Sequence, residues 1–180
     1  LKPPIIGICG NAGCGKDTLA EGLANRLNMH IHRMADPLKR GLEAMFGFDR
    51  SIWDDRDLKE RELPGIERSP RYLAQTIGTD WGRRMVHPDV WIFAADQIWL
   101  EHPFLVVPDI RFDNEAEWIE RRGGCLLQIE RPELEMIREN GHVSEDGIDQ
   151  SYVSEIIVND STVDDLIDRG MEYVVCHFGC

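Results

Sequence analysis

The stretch "PPIIGICGNAGCGKDTLAEGLANRL", residues 3–27, limits what this chain can fold into more than any other part of it. A short apolar run ends in a turn carrying Gly10, Gly13 and Gly15. The chain then resumes from Lys16 with Leu19, Leu23 and Leu27 on one stripe. An unbroken apolar run of this length predicts a buried strand, and the four-residue spacing predicts a helix with one apolar face. A strand that passes through a glycine turn straight into a helix opens a βαβ arrangement, in which helices cover both faces of a parallel sheet.

The same alternation continues along the chain. "MHIHRM", "FLVVPDI", "CLLQIER" and "EIIVND" read as further strands, giving five in all. "ADPLKRGLEAMFG" reads as a helix opened by proline and closed by Gly47, and "NEAEWIERRGG" as a helix with a glycine stop. "RYLAQTIGTDWGRRM" and "PDVWIFAADQIWLE" carry helical spacing, "PELEMIREN" a short helix, and "STVDDLIDRGMEYVV" a closing helix begun by a Ser/Thr cap. There is no internal repeat or low-complexity linker. At 180 residues the chain is read as one domain, 1–180, a three-layer α/β fold with a central five-stranded parallel sheet covered by helices. Residues 49–70 stand apart: densely charged, broken by Pro64 and Gly65, and without apolar periodicity. Such a run is either a solvated loop or a mobile flap over a substrate.

With 33 acidic residues against 20 Lys and Arg, the formal charge is −13. That excludes a general binder of nucleic acid polymers or of an anionic membrane surface, which need basic surface. No apolar run reaches the roughly 20 residues of a bilayer span. The chain opens on Leu1 without a secretory pattern, which suggests a processed, cytoplasmic protein. Its five cysteines form an odd set without framework spacing and are expected as reduced thiols. Cys176, His177 and Cys180 offer metal ligands, but a closed zinc site needs four, and a terminus that is merely packed or frayed is the simpler reading.

The turn itself has a chemistry. In the pattern G-x-x-x-x-G-K-[ST], glycines let main-chain N–H groups converge on phosphate oxygens while the lysine meets the outer phosphates. Gly10, Gly15 and Lys16 fit it, but Asp17 stands where a hydroxyl normally touches Mg²⁺. A carboxylate is a hard oxygen ligand that can hold a magnesium ion through water, and Thr18 still supplies a hydroxyl for phosphate. A small-acceptor kinase also needs a second cation cluster, for which arginine's planar fork is suited. Asp109 and Arg111, in "VVPDIRFDNEAEW", fall at the carboxyl end of a strand, where open α/β sheets place ligands, with Glu115 four residues on.

Seven blocks now form a pattern: "GKDT" at 15–18, "ADPLK" at 35–39, "LAQTIGTD" at 73–80, "VVPDIRFDNE" at 106–115, "ERP" at 130–132, "HVSEDG" at 142–147 and "IVNDST" at 157–162. In this order they resemble the bacteriophage deoxynucleoside monophosphate kinases, within the P-loop nucleotide kinase group. The resemblance implies a P-loop kinase-like fold, and transfer of a phosphoryl group from ATP to a deoxynucleoside monophosphate (dNMP), with Mg²⁺, giving ADP and the diphosphate. It implies that Gly13, Gly15, Lys16, Asp17 and Thr18 hold ATP. It implies further that Leu38, Lys39, Arg71, Gly78, Thr79, Trp91, Asp109, Arg111 and Glu115 contact the dNMP, with Lys16, Arg111 and Arg71 stabilising the transferring group. Arg56 in the flap is a further candidate, and a homodimer and a host-cell cytoplasmic location are compatible with the likeness. Two departures stand out: the loop reads "NAGC" without the basic residue some relatives carry, and the flap is shorter than in some, so base selectivity does not carry over.

Other readings stay open at this stage. Lys39 and Arg56 could be ordinary solvated charges, Trp91 a core residue, and Arg111 with Glu115 a surface pair worth little. Asp109 could order Mg²⁺ instead of substrate. His142, Ser144 and Glu145 match a family block whose chemistry their spacing does not reveal. The chain could also act on another phosphorylated metabolite such as dephospho-coenzyme A, or bind nucleotide as a regulatory module without transfer.

Overall fold

The computed structural model describes residues 3–133 and 148–179. His142, Ser144, Glu145, Cys180 and most of "PELEMIREN" lie outside these residues. In chain order the elements are β1 (Ile5–Gly10), α1 (Lys16–Leu27), β2 (His30–Ile31), α2 (Asp36–Phe46), α3 (Arg56–Glu60), α4 (Pro70–Gln75), α5 (Val90–Glu101), β3 (Leu105–Val107), α6 (Asp113–Arg121), β4 (Cys125–Glu130), β5 (Glu155–Val158) and α7 (Val163–Phe178). The chain divides into two compact units, Leu1–Arg33 with Asp96–Cys180, and Met34–Ala95.

The first unit holds the sheet, five strands in the order β2-β3-β1-β4-β5. Every neighbouring pair is parallel, with Ile6 opposite both Val106 of β3 and Cys125 of β4. Along β1 the side chains alternate between two helical layers. Ile6 and Ile8 face Leu19, Ala20 and Leu23 of α1 and Leu166 and Val174 of α7, all buried. The intervening Gly7 faces α6, and a Cβ there would overlap Ile119 Cδ1. A side chain at position 7 would have to displace the side chains of Ile119, Leu126 and Ile110 that pack into that space. The result is the three-layer P-loop kinase-like fold expected from the sequence.

α6 is tied to the end of α5 by a cation between two indoles. The Arg122 guanidinium lies 5.0 Å from the ring centres of both Trp99 and Trp118. It bonds the Asp96 carboxylate, which also accepts the Trp118 indole N–H at 2.8 Å. α7 opens on Thr162, whose hydroxyl accepts the Asp165 N–H at 3.2 Å. Hydroxyls of Ser161 and Thr162 donate to the Asp165 carboxylate and hold its pKa below the ordinary value. Cys9, Cys14, Cys125 and Cys176 are free thiols. Burial pushes the Cys9 thiol up to about 11 and Cys125 to about 12. Among the described residues no three His, Cys, Asp or Glu cluster as a metal site, and His177 stacks on Tyr173. No described helix is long and apolar enough to cross a membrane.

The second unit differs from the sequence reading in two places. The charged segment 49–70 is organised into short turns, two of them started by an acidic side chain. Asp49 accepts the Ser51 N–H at 2.9 Å and opens a 3₁₀ turn, Arg50–Trp53. Asp55 accepts from Asp57 and Leu58 at 2.8 and 2.9 Å and opens α3. Trp53 is buried with its indole N–H on Glu43 at 2.8 Å, and Arg50 pairs with Asp36 and Glu43. The second difference concerns "RYLAQTIGTDWGRRM". α4 is capped by Ser69, but beyond Gln75 the helix widens to a π-helix, Thr76–Val86, closed by His87 N–H on the Gly82 carbonyl at 3.0 Å. Gly78 and Gly82 remove the side-chain stripe that would hold the α period. The Trp91 ring occupies the space beside Gly82, and its N–H donates to the Gly78 carbonyl at 2.8 Å.

Candidate active site

The phosphate loop follows from three backbone positions that L side chains rarely adopt: Gly10 at φ 128°, Gly13 at φ 79° and Gly15 at φ 109°. Gly15 is the N-cap of α1 and, having no side chain, caps none of the helix's first N–H groups. These groups, with the positive end of the helix dipole, form a ready anion cradle. Lys16 arches back over the loop, its Nζ donating to the carbonyls of Gly10 and Asn11 at 2.7 Å each. Cys14, buried beneath, has its thiol pKa raised by burial, with the nearby Lys16 charge pulling the other way.

Two residues outside the sequence assignments hold this loop. Asn159, just past β5, donates its side-chain amide to the Cys14 carbonyl at 2.8 Å, while its own backbone N–H is anchored on Glu130 at 2.7 Å. Its Nδ2 lies 2.7 Å from where a Cβ on Gly15 would be, so Gly15 is required for space as well as for backbone angle. Arg33, just past β2, places Nη2 at 2.7 Å from Oδ1 of Asp17. Both follow the carboxyl ends of strands, the signal that singled out Asp109. Asn159 lies inside the quoted "IVNDST" block, and Arg33 inside "MHIHRM".

β3 runs beside β1 and delivers the second segment to the same sheet edge. The Ile110 N–H bonds the Ile8 carbonyl at 3.3 Å, so Asp109 and Arg111 emerge next to the start of the loop. Glu115 is buried, at 2 % exposure, and its Oε2 accepts the backbone N–H groups of Arg111 at 2.8 Å and Phe112 at 3.2 Å. The expected link between Arg111 and Glu115 thus includes the main chain of Arg111: the carboxylate caps α6 and fixes the backbone from which the guanidinium projects.

The remaining acceptor candidates belong to the second unit. Leu38 lies against Gly78, which in turn accepts from Trp91, so these three form one neighbourhood. Trp91 is 8 % exposed and serves as a core residue there. Arg71 pairs with Glu60 of α3 at 2.9 Å and so ties α4 to the charged segment. Lys39 stands over the Trp53 ring at 5.7 Å. Thr79 lies in the π-helix and Arg56 at the start of α3. Asp17, on the first turn of α1 with its side chain 69 % exposed, and Thr18 beside it are hard oxygen donors suited to Mg²⁺.

The chain is similar to several known proteins. A relative described as a putative deoxynucleotide monophosphate kinase, from Acanthamoeba polyphaga mimivirus, is 29% identical over 92% of this chain and 93% of its own. A deoxynucleoside-5'-monophosphate kinase from Escherichia phage T5 is 32% identical over 56% of this chain, and the match spans 43% of that longer protein. Among solved structures, a dephospho-CoA kinase from Campylobacter jejuni shares the fold with a TM-score of 0.50, 13% identity and 98% of both chains covered. The family model described as deoxynucleotide monophosphate kinase matches residues 65–169. With more than half of its length matched, this chain belongs to the deoxynucleotide monophosphate kinase family.

Proposed function

We propose that this chain transfers the γ-phosphoryl group of ATP to a dNMP, giving ADP and the deoxynucleoside diphosphate. The observation that carries the reading is the placement of two anion-handling segments on neighbouring strands: the glycine cradle after β1 and the Asp109–Arg111 segment after β3. Gly13, Gly15, Lys16, Asp17 and Thr18 hold the donor. Leu38, Lys39, Arg71, Gly78, Thr79, Trp91, Asp109, Arg111 and Glu115 serve the acceptor. Glu115 acts by fixing Arg111, and Trp91 by shaping the wall around Gly78. The chain, 1–180, works as a kinase domain with 49–70 as its flap, in the cytoplasm of the host cell.

The acceptor phosphate is already an oxygen nucleophile, so no strong base is needed. Lys16, Arg111 and Arg71 neutralise charge on the transferring group and hold donor and acceptor in line. Phosphate oxygens would replace the neutral carbonyls of Gly10 and Asn11 as partners of Lys16, a stronger, charge-assisted bond. Asp17, with Thr18 beside it, would hold a magnesium ion, which supplies charge neutralisation of the donor phosphates when bound.

The test is ADP release from ATP and Mg²⁺ across dAMP, dGMP, dCMP, dTMP, their ribo counterparts and dephospho-coenzyme A. Release that depends on at least one dNMP is expected. Release only with dephospho-coenzyme A would replace the acceptor class. Nucleotide binding with no acceptor-dependent release would make the chain a binding module.

A further inference from the structure

We propose that Glu60 is a positioning residue for Arg71, the means by which segment 49–70 sets that guanidinium against the acceptor phosphate. This rests on the acceptor half of the kinase reading and adds to it a carboxylate that lies outside all seven sequence blocks.

Arg71 starts from a fixed main chain. Pro70 before it is buried in the first turn of α4, and Ser69 caps that turn by accepting the Tyr72 N–H at 3.2 Å. The head of the side chain is held differently, since the side chain is 50% exposed. Several rotatable bonds separate backbone from guanidinium, so a fixed backbone alone lets the head sweep a wide arc. Glu60 narrows it: its Oε1 accepts from Arg71 Nη1 at 2.9 Å. Among the described residues this is the one side-chain hydrogen bond between α3 and α4. The partner is selected. Glu60 has Lys59 and Arg61 beside it and Arg56 one turn back, yet it pairs with a cation 11 residues away. Arg68 is engaged elsewhere, 5.3 Å from the Tyr72 ring centre and bonded to the Glu67 carbonyl at 2.7 Å.

Stability does not explain the pair, because both side chains are about half exposed and such pairs contribute little. Its place in segment 49–70 does. The 3₁₀ turn at Arg50–Trp53 is anchored through the buried Trp53, whereas α3 has no buried residue and ends on Glu60. α3 is therefore the part of the segment that shifts at small cost, and Glu60 travels with it. A guanidinium carries five N–H donors, so one stays on Glu60 while others meet phosphate oxygens. Held this way, Arg71 needs no reordering when the acceptor arrives, and a movement of α3 onto the acceptor carries the cation along.

The experiment is steady-state kinetics, each substrate varied in turn, on the wild-type chain, Glu60→Gln, Glu60→Ala, Arg71→Met and the Glu60→Ala, Arg71→Met double variant. Amide exchange at α3 is followed alongside, with and without saturating dNMP. Glu60→Ala should lose about fivefold in kcat, the scale of one exposed ion pair, while the KM for ATP and the unfolding midpoint hold. Glu60→Gln keeps the length and the oxygen and should lose less. In the Arg71→Met background, removing Glu60 should cost nothing further, since both changes disable one device. dNMP should slow exchange at α3 in the wild type and no longer do so in Glu60→Ala. An unchanged kcat, a kcat loss that tracks a lowered unfolding midpoint, the same loss on top of Arg71→Met, or slowing that survives in Glu60→Ala would overturn the proposal. The two readings fail separately. If dephospho-coenzyme A replaces dNMP as acceptor and the same pattern follows it, only the acceptor class falls. A dNMP kinase whose rate ignores Glu60 sinks only this proposal.

Discussion

The Asn159 amide donates to the Cys14 carbonyl at 2.8 Å and fills the space a side chain on Gly15 would need. Under the proposed function, a carbonyl engaged by Asn159 would be kept off the donor phosphates, leaving N–H groups to line the cradle. Asn159→Ala should therefore raise the KM for ATP by about tenfold while the KM for the acceptor moves far less. The lost hydrogen bond itself costs stability of about 1 kcal/mol. Steady-state kinetics with each substrate varied in turn would check this, and an unchanged KM for ATP with only a lowered unfolding midpoint would reduce Asn159 to a fold residue. At this scale the sequence is a partial guide. Gly10, Gly15, Lys16 and the substitution at Asp17 are legible because they lie within one local pattern. Their supports are not, since Arg33 and Asn159 come from other strands and no local spacing encodes a contact across the sheet.

At the scale of elements, strands and long helices follow their apolar periods closely, and α2, α6 and α7 stop or start at the glycine and threonine signals expected of them. Segment 49–70 escapes that logic because its 3₁₀ turn and α3 are only 4 and 5 residues long, too short for a period to show. Their starts are instead written in Asp49 and Asp55, each capping the turn that follows. Short capped turns with exposed backbone belong to the low end of local stability, where a segment opens and closes cheaply. If 49–70 closes over the acceptor, adding dNMP to the wild-type chain should slow amide exchange across it, α3 above all. The Arg71–Glu60 pair links α4 to α3, so that closure would reach Arg71, the cation proposed for the transferring group. Exchange unchanged by dNMP at saturating concentration would leave the segment a solvated loop. The π-helix at Thr76–Val86 is equally hidden in sequence, since its glycines say only that the α period is weak and not what replaces it.

For the whole molecule, the alternation of five strands with helices is enough to reach the layered parallel sheet, because few other architectures bury both faces of every strand. What the alternation does not encode is the division at Arg33 and Ala95, where the chain leaves the sheet and returns through α5. The acceptor candidates are split by that division: six lie in Met34–Ala95, counting Leu38, Lys39, Arg71, Gly78, Thr79 and Trp91. Under the proposed function a phosphoryl group passes from a donor on the β1 loop to a nucleoside monophosphate, driven by positioned cations. That transfer is tested most directly by following the group itself. ATP labelled at the γ-phosphate is incubated with Mg²⁺, each dNMP and either the wild-type chain, Lys16→Ala or Arg111→Ala, and the products are separated. Label should move into a deoxynucleoside diphosphate in the wild type, and its rate should fall on the order of 10²-fold or more in each folded variant. Label that appears only as free phosphate, or folded variants that transfer it at the wild-type rate, would contradict it.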